Sequence, residues 1–137
     1  MTDTPAPLDL DSLDLGVAGL RAAFAAGRFS AEALTRALLD RIAERNPALN
    51  GLIFLDDGAV AAAREIDRRR AAGEAPGPLA GVPVVVKDTM DMVGHPTTGG
   101  WAKLSARAGG VDLMPERDAP VVARMRAAGA ILLGKTN

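Results

Sequence analysis

Cysteine is absent from this 137-residue chain, which excludes disulfides, thiol nucleophiles and the usual structural zinc sites together. Histidine occurs once, at His95, and one imidazole cannot build a metal centre. Net charge is also nearly absent. Sixteen Lys and Arg against 17 Asp and Glu leave −1 at pH 7, with no broad field to draw in phosphate backbones or anionic lipid. Direct nucleic-acid binding is therefore disfavoured. No apolar run approaches the ~20 residues of a membrane span, and Arg21 interrupts the best candidate, Val17 to Ala26. The start, Met-Thr-Asp-Thr-Pro, is polar and acidic, unlike a secretory leader. The expectation is a soluble, cytoplasmic chain without a membrane partner. Aromatics make up only 3% and tyrosine is missing, while 48% of residues are hydrophobic and mostly small aliphatics that suit close helix-on-sheet packing. The length fits one domain, or a piece of a larger one.

Periodicity predicts an α/β chain in which N-terminal helices precede the first strands and crossover helix of a mostly parallel mixed sheet. Residues 1–9 read as a flexible arm and residues 10–137 as one domain. From Ser12, the apolar positions Leu13, Val17, Leu20 and Phe24 recur at helical spacing, with Gly27 as a left-handed stop. Ser30 offers an N-cap for a second helix carrying Leu34, Leu38 and Ile42, which Asn46-Pro47 should end. Leu52 to Leu55 reads as a strand. Ala59 to Ala72 reads as a third helix, with Arg64, Asp67, Arg68, Arg69 and Arg70 on its wet side. After the turn-rich stretch Gly73 to Gly81, Val82 to Val86 is a continuous apolar run, as in a strand covered on both faces. Asp118 is placed to cap a last helix with Val121, Val122 and Met125 inward. Gly129 closes that helix, and Ala130 to Leu133 is a further strand. Two or three strands make an incomplete sheet, so the domain reads as truncated.

Ligands of open α/β sheets bind beyond the carboxyl ends of the strands. Lys87-Asp88-Thr89 and Gly134-Lys135-Thr136-Asn137 are expected there. A strand-end lysine is a candidate general base if its pKa, ordinarily about 10.4, falls by roughly three units through burial or a neighbouring cation. The commoner arrangement is a solvated Lys87, or one paired with Asp88 or Asp91. Pro96-Thr97-Thr98-Gly99-Gly100 is a hydroxyl-rich loop or a plain turn. Gly129-x4-Gly134-Lys135-Thr136 has the spacing of a phosphate-binding loop. It is rejected because residues 130–133 are the strand itself, where that motif needs the loop. Trp101 reads as packing or a loop anchor. Serine occurs only at positions 12, 30 and 105; the first two read as helix caps, and Ser105 lacks a Gly-rich turn to expose it. No hydrolase triad is visible.

Three segments in order carry a resemblance. They are Gly77-Pro78-Leu79-Ala80-Gly81-Val82-Pro83-Val84-Val85-Val86-Lys87-Asp88; Gly94-His95-Pro96-Thr97-Thr98-Gly99-Gly100; and Asp118-Ala119-Pro120-Val121-Val122 through Ala128-Gly129-Ala130 to Gly134-Lys135-Thr136-Asn137. With Asn46-Pro47-Ala48-Leu49-Asn50 upstream, the sequence resembles the N-terminal part of the amidase signature family over nearly all of residues 10–137. The resemblance implies a Ser–cis-Ser–Lys triad that cleaves a carboxamide through an acyl-enzyme. Lys87 then matches the lysine that, through the cis-Ser, takes the nucleophile's proton. It implies no cofactor, and a small amide as substrate of the complete enzyme. Asp88, Thr97 and Thr98 match positions around the site without assigned roles. Two departures stand out: no Gly-Ser-Ser stretch follows Lys87, and Gly100-Trp101 stands where the family often has Gly-Ser. The expectation is an N-terminal amidase fragment, inactive alone and open to a complementing chain or self-association. The alternatives are a non-catalytic module docking through an exposed sheet edge and, third, an anion-binding domain using Arg68 to Arg70.

Overall fold

The computed structural model describes residues 8–137. A 3-10 turn (Leu10–Ser12) precedes α1 (Val17–Ala25), α2 (Ala31–Leu49), β1 (Leu52–Leu55), α3 (Ala59–Ala71) and β2 (Pro83–Lys87). Two further 3-10 turns (Ala102–Leu104, Ala106–Ala108) lead to α4 (Pro120–Ala127) and β3 (Ile131–Thr136). The sheet order is β1-β3-β2. β2 runs parallel to β3 with α4 between them in sequence, as expected, and β1 joins β3 antiparallel, so the sheet is mixed. Of the arm expected at 1–9, residues 1–7 lie outside the described residues. Leu8 packs on the core, and the Asp9 carboxylate accepts from Asp11 N–H at 3.1 Å.

Alternation along β3 builds the layers. Ile131 and Leu133 face one apolar cluster with Leu20 and Phe24 of α1, Leu34 of α2 and Ala63 and Ile66 of α3. Leu132 faces a second cluster, with Val86, Met92 and Val122 of α4. Both faces of β3 are thus covered, which is why its sequence reads as a continuous apolar run. β2 instead buries Val86 on one face and leaves Val85 exposed on the other, a correction to the strand covered on both faces that the sequence suggested. Each fully buried Leu, Ile or Val contributes about 1.5–3 kcal/mol. Alanines at 31, 59 and 63, all buried, let α2 and α3 approach closely.

Several boundaries differ from expectation for identifiable reasons. The first helix starts at Val17, not Ser12, because the Asp14 carboxylate accepts from Gly16 N–H at 2.9 Å and holds a turn there. Ser12 caps nothing; its hydroxyl donates to Asp9 O at 3.0 Å. Helix α2 continues through Pro47 to Leu49 and stops at Asn50, in the left-handed region at φ 49°. The Asn46 side chain then replaces lost backbone partners: its Oδ1 accepts from Gly51 and Leu52 N–H, both at 2.9 Å, and its Nδ2 donates to Leu52 O at 2.8 Å. Asp118 does not cap α4, whose N-cap is Ala119 without a side-chain bond. Its carboxylate instead accepts from Val93 N–H and Arg126 Nε, both at 2.8 Å.

The wet face of α3 is drier than its charge suggests. Asp67 accepts from Ala31 and Glu32 N–H, each at 2.9 Å, and so caps α2 from another helix alongside Ser30. Arg70 lies 4.3 Å over the Phe24 ring and donates to Ala80 O. Arg68 and Arg69 pair with Glu65 and Glu74, each at 2.7 Å, so each of the three arginines of the third alternative, an anion site, already has a partner within the chain. An Asp67→Ala chain is expected to lose about 1–2 kcal/mol in urea unfolding. A loss within ~0.3 kcal/mol would mean that Ser30 caps α2 unaided.

Candidate functional site

Extended backbone sends neighbouring side chains to opposite faces. At the end of β2 this buries Val86 and Asp88 and exposes Lys87 between them. Lys87 pairs in register with Thr136, and Val86 with Lys135. β2 is an edge strand whose far side carries no partner among the described residues, and Val85, two residues before Lys87 and 42% exposed, shares its face of the sheet. Lys87 forms no ion pair with a described carboxylate, so the expected alternatives with Asp88 and Asp91 are both absent.

Asp88 has a different partner. Strand β3 does not end at Leu133, as the sequence suggested, but runs to Thr136, so Lys135 sits inside the sheet. Its side chain is 0% exposed, and Nζ lies 2.9 Å from Asp88 Oδ1, 2.7 Å from Pro96 O and 3.0 Å from Thr97 Oγ1. Three acceptors match the three protons of an ammonium. On the other side, Asp88 Oδ2 accepts the Thr98 hydroxyl and the Thr98 N–H, the latter at 3.2 Å. The Asp88 backbone is tied as well: its N–H donates to Thr136 O at 3.0 Å and its carbonyl accepts Gly99 N–H at 3.1 Å. The hydroxyl-rich loop is thus no plain turn. It closes onto the end of β2 through Asp88 and Lys135.

Gly134 explains how β3 carries on past Leu133. Its φ of 148° belongs to glycine, and a Cβ there would run into Phe54 O and Leu55 Cα of β1. It occupies the irregular register where Val84 pairs with Leu132 but Val85 with Gly134. The Gly134-Lys135-Thr136 run is therefore strand, which supports rejecting a phosphate loop and corrects its placement beyond the sheet.

Burial pushes the Asp88 carboxyl up, but the Thr98 hydroxyl and N–H and the Lys135 ammonium outweigh it and hold the group below the ordinary carboxylate value. A lowered folded-state value contributes stability that is complete above the unfolded value of about 3.9 and is lost as pH falls through the folded one. An Asp88→Asn chain is therefore expected to show a shallower fall of melting temperature between about pH 5 and pH 2 than the parent. Equal slopes would remove Asp88 from the acid transition.

The remaining expected positions disperse. The His95 side chain is partly buried with Nε2 3.9 Å from Asp56 Oδ1, and Trp101, read as packing or a loop anchor, is 58% exposed. Ser30 caps α2, and Ser105 is buried. An open groove of about 920 Å³ is lined by Asn46, Phe54, Trp101 and Arg107, with Lys87 outside it. Among the described residues, no cluster of three or more His, Asp or Glu is placed to hold a metal, and no helix is long and apolar enough to cross a membrane. Sequence reasoning placed Lys135 among the residues beyond the strand and missed its burial within β3 and its pairing with Asp88. The signal was available as the sole charge directly following the longest apolar run at the chain's end, but the preceding glycine hid it as a turn.

A family model described as Amidase matches residues 33–137. A glutamyl-tRNA(Gln) amidotransferase subunit from Acidothermus cellulolyticus is 49% identical over 119 residues, 86% of this chain and 22% of that one. The corresponding protein of Salinispora tropica is 45% identical over 128 residues, 93% of this chain and 25% of the relative. Among solved structures, the native peptide amidase from Stenotrophomonas maltophilia superposes with TM-score 0.79 at 37% identity, covering 90% of this chain and 25% of that one. The chain spans about a quarter of the length of the relatives it matches.

Proposed function

The chain belongs to the amidase signature family, and from that premise we propose that it is the N-terminal portion of an amidase-type C–N hydrolase in which Lys87 is the general base. The observation that carries this is the solitary amine at the carboxyl end of edge strand β2, with its neighbouring carboxylate already taken by Lys135. The nucleophile comes from polypeptide outside residues 1–137. None of the described serines is available near Lys87: Ser12 donates to the backbone, Ser30 caps α2 and Ser105 is buried.

In the assembled site, Lys87 takes a proton, through the cis-Ser, from the attacking serine hydroxyl. That oxygen bonds to the carboxamide carbon, the C–N bond breaks as the nitrogen leaves protonated, and water hydrolyses the acyl-enzyme. A lysine acts as base only when neutral, and covering the β2 edge with the complementing polypeptide favours the neutral amine. The curated relatives are named as subunits of an amidotransferase, which favours a partner chain as well. A small amide substrate is part of the same proposal.

The open edges of β1 and β2, with Leu55 and Val85 each about 40% exposed, favour a second assignment, a non-catalytic module that docks another chain. One experiment separates the two. The 137-residue chain is co-purified with the part of the Acidothermus protein beyond the matched segment, and turnover of simple amides is measured. Turnover by the pair, and none by either part, is expected. Binding without turnover favours the docking module. Turnover by the pure 137-residue chain that Lys87→Ala abolishes would place the nucleophile within it and overturn the proposal.

A further inference from the structure

We propose that Lys135 is a positioning residue for Lys87: its buried ammonium holds the Asp88 carboxylate on the far side of β2 and leaves the Lys87 amine without a counter-ion. This presupposes Lys87 as the base, but its test does not depend on turnover.

Lys87 and Asp88 are consecutive, so a carboxylate stands one residue from a solvent-exposed amine. An anion within reach favours the ammonium and would suppress a base. Nothing in strand geometry alone prevents Asp88, at the first turn position after β2, from swinging toward Lys87. What prevents it is the set of bonds on the inner face. Lys135 Nζ contacts Asp88 Oδ1 at 2.9 Å, Thr98 supplies a hydroxyl and an N–H to Oδ2, and both Lys135 and Asp88 are essentially unexposed. All three Lys135 protons have acceptors, so the ammonium has no second role to play at the site. Neutral residues in both places would pack as well or better, because two charges brought out of water need each other to offset their desolvation. Given a carboxylate at position 88, the ammonium is what keeps that charge on the inner face. The other titratable groups on the segments meeting here are Asp91, which is exposed, and His95, whose nearest carboxylate is Asp56 at 3.9 Å.

The chain contains only three lysines, Lys87, Lys103 and Lys135, so each amine can be followed by mass spectrometry. The folded chain is acylated with sulfosuccinimidyl acetate at pH 8, and exposed Lys103 is the internal reference. In the parent, Lys87 and Lys103 are expected to react while Lys135 stays unmodified until the chain unfolds. In Lys135→Met, Asp88 is released and the Lys87-to-Lys103 rate ratio is expected to fall about threefold or more. In Asp88→Asn/Lys135→Met the ratio is expected to return to the parent's, because no carboxylate is left to release. A purely structural pair would alter both variants alike, and that result, or an unchanged ratio in folded Lys135→Met, overturns the proposal. If Lys135→Met fails to fold, Thr98→Val, which removes one bond holding Asp88, is expected to lower the ratio, with Thr98→Ser restoring it. An unchanged ratio in Thr98→Val, or Lys135 reacting as fast as Lys103 in the parent, also overturns it. Failure of the complemented pair to turn over amide would instead count against Lys87 as base and leave the labelling result standing.

Discussion

Replacing Lys135 with Met is expected to cost about 3–5 kcal/mol of folding stability, the largest loss from any single substitution considered for this chain. The side chain is 0% exposed and serves Asp88, Pro96 and Thr97 together. Methionine keeps much of the stem's packing but strands a carboxylate that is 1% exposed. An uncompensated buried charge must then be protonated, hydrated or moved, each at a price. Small domains have only about 5–15 kcal/mol in total. Urea titration at pH 7 should show the midpoint falling steeply with the slope retained. The Asp88→Asn/Lys135→Met chain should recover most of the loss, since removing both charges also removes their desolvation cost. A single-variant loss below ~1 kcal/mol would show that water reaches the pair freely.

Removing the Lys87 amine should have the opposite profile, with little effect on stability and a large one on chemistry. Lys87 is exposed on the flank of β2, so Lys87→Ala should shift stability of the 137-residue chain by no more than ~0.5 kcal/mol. In the complemented pair, loss of a positioned general base should lower kcat by about 10²–10⁴. Lys87→Arg should be as impaired as Lys87→Ala, because a guanidinium keeps its proton at any working pH. Full activity in either variant would remove Lys87 from the proton path. A large drop in melting temperature in both would recast it as a fold residue.

These two lysines show where pattern reading worked and where it stopped. Lys87 ends an apolar run that pattern reading took for a strand, and the strand lies at Pro83–Lys87, one residue from where periodicity put it, although Val85 is exposed rather than covered. Ser30, Gly27 and Gly129 act as cap and stops, because caps depend on hydrogen bonds within a few residues. The burial of Lys135 stayed hidden because Gly134 reads as punctuation. Glycine in a strand looks like a turn until the close passage of Phe54 O across it is known. Asp118, Asp67 and Arg70 were misjudged for the same reason: each has a local role by composition and a distant partner in fact.

By itself, the sequence determined the α/β class, the helix-bearing segments, the family resemblance and the identity of the amine at the end of β2. All of these depend on spacing along the chain, and spacing is local. Only the tertiary structure decided that Asp88 belongs to Lys135, that the Thr97–Thr98 loop closes on them, and that Asp67 caps a helix 36 residues upstream. Those partnerships join residues far apart in sequence. The burial of each charge depends on what the rest of the fold brings against it, and no window of neighbouring residues carries that information.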